Sequence, residues 1–541
     1  MLLKPGGVRA GNGKNLREGA DGGGAGTFAA NLFLGRAYIA AHVTNRLRFI
    51  GFSARGPAVK PLTCDSMTRP ALWLMALALC CWEAARGQHI TYGGEVSVTA
   101  ATADALPFWL HANQSGLIEQ EGAGALMRLQ VARSYRPERR WDIGGGIDLA
   151  VRGSRHSTAF FNELYVQARF AFLQLRAGRK VEQIGTVDAG LSTGSLATST
   201  NATPLPKIVL ETLGYTPVPF TRGYAEFKGS YAHGWFGDER YAGNPYLHHK
   251  TLYVRLGGPL GVNVYGGIVH DAFWGGSTPR LGKLPASFED YLRTVFGMSG
   301  SERAPGGEQI YVQGNHLGIY DVGLRLRRHG YELLGYRHFI FDDKDGLKLK
   351  NPGDGLLGLS LRLPGADRPL ARVTYEYLYT KRQSGPEPVG PGRDGPGGQD
   401  NYYSHYLYRS GWTYYGRTIG SPMLVPLPDN QIIVHDRIEN NRVVAHHLGL
   451  AGRPWQGMTY RFLFTYSRNY GTYTERDRAA AAGIPYRYAG GLRQYSILLE
   501  TQTRLPGRVP LTLLAAAGWD LGEMYEDTAG VRLGLRYRGR R

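Results

Sequence analysis

The residues best suited to recognising a ligand are concentrated in residues 400–422, which read DNYYSHYLYRSGWTYYGRTIGSP. Aromatic rings alternate there with amide, imidazole and guanidinium groups. Rigid aromatic faces with hydrogen-bonding groups beside them suit sugar rings, and guanidinium groups suit uronate or phosphate. We therefore expect this stretch to be a surface and not a core. Its candidate glycan contacts are Asn401, Tyr402, Tyr403, His405, Tyr408, Arg409, Trp412 and Arg417.

The same aromatic residues also have a structural interpretation. Tyr and Trp collect at the membrane interfaces of transmembrane β-barrels, where they form girdles around the wall. Residues 384–400, which precede the stretch, are mostly Gly and Pro, so it follows a long irregular loop. The residue types alone leave the glycan surface and the girdle as alternatives.

Several pairs of neighbouring residues invite a metal or catalytic interpretation. Neighbours on a β-strand point to opposite faces, so they cannot share a ligand, and an adjacent Ser and His do not place a nucleophile beside its base. We therefore predict no catalytic residue, no metal site and no cofactor. The pairs are His248-His249, His270-Asp271, Ser404-His405, His435-Asp436 and His446-His447.

The elements that must position these residues are strands with two different faces. From Trp141 onward, apolar and polar residues alternate in short runs. Ile143 and Leu149 fall on one side of the first such run, whereas Asp142 and Asp148 fall on the other. The same alternation recurs to the end of the chain.

This alternation continues without a domain break, and the polar sides are rich in Arg, Asp, Glu and Gln. A barrel that faces lipid outside and water inside requires such a pattern, and its closure removes exposed strand edges. About 450 mature residues, at roughly 25 residues per strand and connection, predict about 18 antiparallel strands. The expected fold is therefore an all-β transmembrane barrel.

One segment, residues 285–296, has a helical pattern instead. Ser287 is suited to the N-cap, and Gly297 is suited to end the helix. We expect this short helix to pack at one mouth of the barrel and to cover part of it. The apolar residues that share one of its faces are Phe288, Tyr291, Leu292, Val295 and Phe296.

The N-terminal residues predict export. A basic start at Arg69, the apolar run of residues 71–82 and a small-residue ending form a secretory signal peptide. The Gly-, Ala- and Arg-rich residues before it show no sustained period, so we interpret them as a misassigned start or a disordered leader. The predicted organisation is an extension (1–66), a signal peptide (67–87) and a barrel (88–541).

Charge limits the kinds of partner that the chain can bind, and cysteine content limits its disulfides and metal sites. The formal net charge of the chain is +19, of which residues 1–66 contribute +6 and residues 67–87 contribute +1, leaving +12. Basic residues are dispersed among acidic ones, which argues against nucleic acid and suits acidic glycans or lipopolysaccharide. All three cysteines, Cys64, Cys80 and Cys81, precede the barrel, which excludes disulfides and Cys-ligated metals from it.

Three stretches carry a more specific signal. The first has TGSLA at 193–197, NATPLPKI at 201–208 and PVPFTRGYAEFKG at 217–229. The second has HDAFWGG at 270–276, followed by KLPASFEDYLR at 283–293, and the third is the aromatic stretch described first. Together and in this order they resemble the capsule-assembly Wzi family, in the version found in Bacteroidetes.

The resemblance implies an outer-membrane β-barrel of a Gram-negative bacterium, with a small helical part on the periplasmic side. It implies a non-enzymatic protein that attaches or assembles capsular or exopolysaccharide at the cell surface. The implied partners are that polysaccharide, outer-membrane lipid or lipopolysaccharide, and the export machinery. His270, Asp271 and Trp274 in the second stretch become further glycan candidates at the lumen or its mouth.

Two other functions remain open at this point. The charged inner face is also compatible with a porin-type channel for small solutes or oligosaccharides. A surface hydrolase is the second alternative, and it would depend on His405.

Overall fold

Alternating apolar and polar residues build a closed antiparallel β-barrel. The computed structural model describes residues 89–154, 157–365, 367–386, 398–427 and 438–540. Each long strand pairs with its sequence neighbours, and the first strand also pairs with the last, as in Val98 opposite Leu533. This pairing leaves no free edge, and the predicted barrel of about 18 strands is confirmed. The predicted segments 1–66 and 67–87 lie outside the described residues.

The eighteen long strands are numbered in chain order. They are β1 (Ile90–Ala105), β2 (Glu121–Arg133), β3 (Trp141–Gly153), β4 (Ser157–Phe170), β5 (Leu173–Arg179), β6 (Lys207–Thr212), β7 (Ala225–Trp235), β8 (Tyr246–Leu256), β9 (Val262–Trp274), β10 (Asn315–Arg328), β11 (Tyr331–Phe341), β12 (Gly355–Arg362), β13 (Arg372–Tyr379), β14 (Val443–Gly452), β15 (Met458–Asn469), β16 (Leu492–Arg504), β17 (Leu511–Gly522) and β18 (Thr528–Arg540).

Helices and very short strands lie in the connections. The helices in the described residues are α1 (Phe108–His111), α2 (Phe288–Phe296), α3 (Gly306–Ile310), α4 (Lys344–Leu347) and α5 (Tyr473–Ala482). Within the described ranges, no helix combines the length and the apolar character needed to cross a membrane. Short strands are Thr216–Pro217, beside β7, and the pairs Ser277–Thr278 with Gly282–Lys283, Thr413–Tyr414 with Arg417–Thr418, and Val425–Pro426 with Ile438–Asn440.

The two faces of the wall differ as the sequence predicts. In β3, Trp141 and Ile143 are exposed on the outside, whereas Asp142 and Asp148 are buried on the inside. The inner charges are paired across strands, because an unpaired buried charge is costly. Arg128, for example, donates to Asp148 at 2.5 Å. An outer apolar band over an inner polar lining is the arrangement of a barrel in lipid.

The two mouths of the barrel have different connections. At one end the connections are short, such as residues 329–330 between β10 and β11. At the other end they include residues 180–206, 275–314 and 380–442. Outer-membrane barrels have short periplasmic turns and long extracellular loops, so we term the long-loop end the outer mouth and the other end the inner mouth. All described helices lie at the outer mouth, and the implied helical part on the periplasmic side is not found among the described residues.

Helix α2 confirms the predicted segment in detail. The Ser287 hydroxyl accepts from the Asp290 N–H at 3.2 Å, and the Asp290 carboxylate accepts from the Ser287 N–H at 2.9 Å. This reciprocal pairing satisfies backbone donors that the first turn leaves free. Gly297 ends the helix at φ 62°, a conformation that favours glycine. The helix packs at the outer mouth, as expected, but it lies against the outside of the wall and does not cover the lumen.

Candidate functional site

The aromatic stretch lies inside the barrel. Tyr402, Tyr403, Tyr408 and Trp412 are all at most 2% exposed. The expected surface is therefore wrong for these four rings, and so is the girdle, because none of them faces lipid. They belong to a compact unit that occupies the outer part of the lumen, which we term the plug. It consists of residues 106–120, 180–206 and 398–427.

Hydrogen bonds to backbone groups explain why these rings can be buried. The Tyr403 hydroxyl donates to the Leu196 carbonyl at 2.6 Å, and the Trp412 indole N–H donates to the Ala197 carbonyl at 3.1 Å. An aromatic residue with a satisfied polar atom is stable in an interior. The Tyr402 hydroxyl is within 3.1 Å of a carboxylate oxygen of Asp354.

The first and third family-like stretches are joined directly. The Ser199 N–H donates to the Ile419 carbonyl at 2.8 Å, and the Ser199 hydroxyl donates to the Gly420 carbonyl at 2.6 Å. Asn201 donates to the Thr418 carbonyl at 3.0 Å. The two stretches are more than 200 residues apart in the chain, so only the closed barrel brings them together.

A carboxylate on the wall anchors the plug. Glu376 of β13 accepts from the hydroxyls of Ser192 and Tyr336, both at 2.6 Å. It also accepts from the N–H and the hydroxyl of Thr193, both at 2.7 Å. Residues 192–193 belong to the connection between β5 and β6, on the opposite side of the barrel from β13. Four donors around one buried carboxylate therefore hold this connection across the lumen.

The polar candidates of the third stretch are largely committed to the plug. Arg417 donates to the carbonyls of His111 and Ile118, and burial lowers the pKa of its guanidinium to about 10. The imidazole of His405 accepts from the Leu407 N–H at 3.2 Å, and burial lowers its pKa to about 3. Both side chains therefore hold backbone groups.

Two further candidates remain partly accessible. Asn401 accepts from the amide of Asn441 at 2.6 Å. The guanidinium of Arg409 lies 4.8 Å from the ring centroid of Tyr241. Asn401, His405, Arg409 and His270 are half-buried, whereas the other seven predicted residues are buried.

The second stretch divides between the two faces of β9, as the alternation of a strand requires. Asp271 faces the lumen, where its carboxylate pairs with His249 at 2.6 Å. His270 faces outward, with its Nε2 2.8 Å from Nδ1 of His316. Trp274 also faces outward, 5.2 Å from the ring of Tyr291 in α2. The sequence placed these residues at the lumen or its mouth. His270 and Trp274 do not line the lumen, and instead they lie outside the wall in the half of β9 that ends at the outer mouth.

Other neighbouring histidines also point to opposite faces. His248 contacts the rings of Tyr231 and Tyr291 on the outer wall, whereas His249 lies in the lumen. His447 bridges Thr465 and the Leu191 carbonyl inside the barrel. The pair His435-Asp436 lies outside the described residues.

Among the described residues, one group of carboxylates is close enough together to bind a cation. It consists of Asp342, Asp343 and Asp400. Their carboxylate oxygens lie within 4.8 Å of one another. Burial, together with the two neighbouring carboxylates, raises the pKa of Asp342 well above its usual range. Sequence inspection missed this group because Asp400 is more than 50 residues away from Asp342 and Asp343 in the chain.

A three-residue hydrogen-bonded chain crosses the lumenal face of β7, β8 and β9. The hydroxyl of Ser230 lies 3.1 Å from Nε2 of His249, and Nδ1 of His249 lies 2.6 Å from Asp271. The Ser230 hydroxyl is also 2.7 Å from the hydroxyl of Thr251. Sequence inspection missed this chain because its members come from three strands. Only the pairing of His249 with Asp271, and of Ser230 with Thr251, reveals it.

A cleft of about 440 Å³ opens at the outer mouth, and we term it the mouth cleft. The exposed ring of Tyr415 and the stacked rings of Phe108 and Tyr525 supply aromatic surface. Sequence inspection placed Tyr415 in the right stretch but did not select it. Tyr525 could not be recognised, because it lies in the β17–β18 turn, outside the three family-like stretches. Acidic residues that line the cleft are Glu119, Glu121, Glu439, Asp520 and Glu526.

Two more cavities, of about 560 and 520 Å³, lie between the plug and the inner mouth. In the first, Arg532 and Arg536 share the carboxylate of Glu95, at 2.6 and 2.8 Å. In the second, Ser230 and His249 lie beside Lys228.

Comparison with known proteins identifies the family. The family model described as capsule assembly protein Wzi matches residues 87–437. The chain belongs to the Wzi capsule assembly family. It is accordingly an outer-membrane protein, as the sequence predicts. None of the curated proteins matches this chain in sequence.

One solved structure shares the fold of this Wzi-family protein, and others are similar to it. The structure that shares the fold is Wzi, an outer-membrane protein involved in group 1 capsule assembly in Escherichia coli, which is described as a carbohydrate-binding β-barrel. It is 13% identical, with a TM-score of 0.50, over 86% of this chain and 87% of that chain. Two similar Pseudomonas aeruginosa structures are OccK5 (OpdH), 10% identical over 84% of this chain and 98% of that chain with a TM-score of 0.44, and OpdQ, 9% identical over 84% and 100% with a TM-score of 0.43.

Proposed function

We propose that this Wzi-family protein holds capsular or exopolysaccharide at the cell surface during capsule assembly. The observation that carries this proposal is the plug. Residues 192–203 and 403–421 pack against each other inside the barrel, so the wall supports a fixed surface at the outer mouth. Holding a polymer there requires no bond to be broken, and the family is described by capsule assembly and not by a reaction. The export machinery is the proposed source of polymer, within a membrane of lipid and lipopolysaccharide.

The mouth cleft is the best-supported glycan site. Tyr415 offers an exposed ring, and Tyr525 lines the same cleft. The surrounding carboxylates suit sugar hydroxyls and repel uronates. Arg417, which the sequence suggested as a uronate partner, instead holds plug carbonyls. We therefore favour neutral or amino sugars in the cleft, with Asn401, His405 and Arg409 as secondary contacts elsewhere at the mouth.

Binding and retention test this function separately. The purified barrel is incubated with the strain's own polysaccharide, and an unrelated barrel serves as control. Retention above the control is expected, and equal retention would refute glycan binding. In cells, deletion of the gene is expected to leave polymer synthesis intact while polymer is released into the medium.

The hydrogen-bonded chain in the second inner cavity supports a second candidate function, ester hydrolysis. The distances from Ser230 to His249 and from His249 to Asp271 are those of an activated serine with its oriented base. The Ser404-His405 pair does not supply such a site, because His405 accepts from backbone N–H groups.

The reaction would proceed in two steps. The Ser230 oxygen forms a bond to the acyl carbon while His249 Nε2 takes the hydroxyl proton, and the alcohol leaves with that proton. Water then releases the acid as His249 takes a proton from water and returns it to Ser230. Asp271 keeps the imidazole in the required tautomer. Lys228 lines the same cavity, so the candidate substrate is an ester on an anionic molecule.

A fluorophosphonate probe tests this candidate directly. Covalent labelling of the folded barrel is expected to disappear in Ser230→Ala and to persist in Ser496→Ala, another lumenal serine. A folded barrel that is not labelled would exclude the hydrolase while leaving polysaccharide binding intact.

A further inference from the structure

The apolar face of helix α2 is broad, and only the side that carries Tyr291 and Val295 packs on the barrel. Tyr291 points to the wall, where its hydroxyl lies 2.5 Å from that of Tyr231 in β7. Its ring also contacts His248 of β8 and Trp274 of β9, at 5.9 and 5.2 Å. The Lys250 ammonium donates to the carbonyl of Val295 and so fixes the end of the helix to the same strands.

These contacts place α2 on the outside of the barrel. In β8, Lys250 shares a face with Leu252 and Val254, which are among the exposed apolar residues of the outer band. The opposite face of β8 carries Tyr253, which is buried in the lumen. The helix therefore lies over the upper part of the lipid-facing wall.

The rest of this apolar face of α2 is exposed. Phe288 is 74% exposed, Leu292 is 39% exposed and Phe296 is 71% exposed. Their spacing of four residues places them in one stripe along the helix. Met298 and Ile310, which follow in the same connection, are exposed as well. In contact with water, three large apolar side chains in one stripe would be unfavourable.

The stripe continues an interface that the barrel already has. Directly below α2, the wall presents Leu252, Val254 and Val264 to lipid. Tyr231 and Trp235 lie at the end of β7 near α2, and aromatic residues mark the depth of the interface in such barrels. An amphipathic helix at that depth lies in the membrane plane with its apolar face among acyl chains.

We propose that α2 is a membrane-embedded element, whose stripe of Phe288, Leu292 and Phe296 inserts between acyl chains of the outer leaflet. It would fix the 275–314 connection, and the part of the outer mouth that this connection forms, at a constant height above the membrane. The contrast is α5, a polar helix in another connection at the same mouth.

Fluorescence quenching by lipid tests this assignment. The described chain contains no cysteine, so single cysteines can be introduced at Phe296, at Val254 as a lipid-facing reference, and at Ile484 as an exposed apolar reference beside α5. Each variant is labelled with a polarity-sensitive fluorophore and reconstituted into phosphatidylcholine vesicles with brominated acyl chains.

The fluorophore of Phe296→Cys is expected to be quenched to about the same extent as that of Val254→Cys, and that of Ile484→Cys to be quenched several-fold less. Leu292→Cys provides a second position in case Phe296→Cys folds poorly. If Val254→Cys is quenched while both helix positions behave like Ile484→Cys, the stripe faces water or another protein and the proposal is refuted.

Discussion

Phe273 and Trp412 stack face to face, with ring centroids 4.3 Å apart and planes inclined by 14°. Phe273 belongs to strand β9 of the wall, and Trp412 belongs to the plug. The stack therefore joins the second and third family-like stretches, and the Trp412 indole N–H joins both to the first stretch at Ala197. Trp412 is therefore one of the residues that fix the plug to the wall.

Replacing Trp412 should loosen the plug. Trp412→Ala removes the stack and leaves a cavity, which we expect to cost about 3–5 kcal/mol of stability. The measurement is planar-bilayer conductance, where the native barrel should be nearly silent and the variant should show frequent openings. Trp455→Ala, at an exposed inner-mouth turn, is the control and should behave like the native protein. A large stable conductance of the native barrel would instead favour the porin-type alternative.

Glu376 should be needed for the plug to hold its position. In Glu376→Gln, an NH₂ group replaces one of the two acceptor oxygens and faces hydrogen-bond donors. At least one buried donor then loses its partner, which should lower the free energy of unfolding by about 1–3 kcal/mol. Urea unfolding of the barrel in detergent measures the change. Glu289→Gln, on the exposed side of α2, should lie within about 1 kcal/mol of the native protein. Equal midpoints for the two variants would contradict the anchoring role.

Stability should depend on pH through Glu308 of α3. Burial raises the pKa of this carboxyl from 4.5 to about 7, although it accepts from the Gly314 N–H at 3.0 Å. Because the folded-state pKa is the higher one, its stabilising contribution is complete below pH 4.5 and is lost as pH rises through about 7.

The slope in that window should approach about 1.4 kcal/mol per pH unit. Melting temperatures measured at a series of pH values across it check the effect. Glu308→Gln should flatten the profile relative to the native barrel, whereas the exposed Glu302→Gln should leave it unchanged. A native profile that rises with pH would show that Glu308 is not the group responsible.

Polysaccharide retention should depend on Tyr415. Tyr415→Ala removes the exposed ring of the mouth cleft. Loss of a dominant aromatic contact costs about 2 kcal/mol, so we expect affinity to fall roughly thirtyfold. Tyr331→Ala, an exposed tyrosine at the inner mouth, is the matched control. Retention of native polymer on immobilised barrel measures both, and equal loss in the two variants would place the glycan elsewhere.

The sequence alone determined the wall and one helix. Alternation of apolar and polar residues is a local property, because successive side chains of a strand point to opposite faces. It therefore predicts strands such as β3, and the number of residues limits how many such strands can close. Helix α2 was equally local, because Ser287 and Gly297 mark its ends by their own conformational preferences.

Only the tertiary structure decided what the chemistry-bearing residues do. Nothing local distinguishes a tyrosine on a loop that extends outward from one on a loop that folds into the lumen, and for this reason Tyr402 and Trp412 were expected at the surface. The approach of Ser230, His249 and Asp271 depends on the register of three strands, which is set by pairing along the whole barrel. Closure of the sheet creates the space that the plug fills, and so decides which aromatic residues become core and which, like Tyr415, remain exposed.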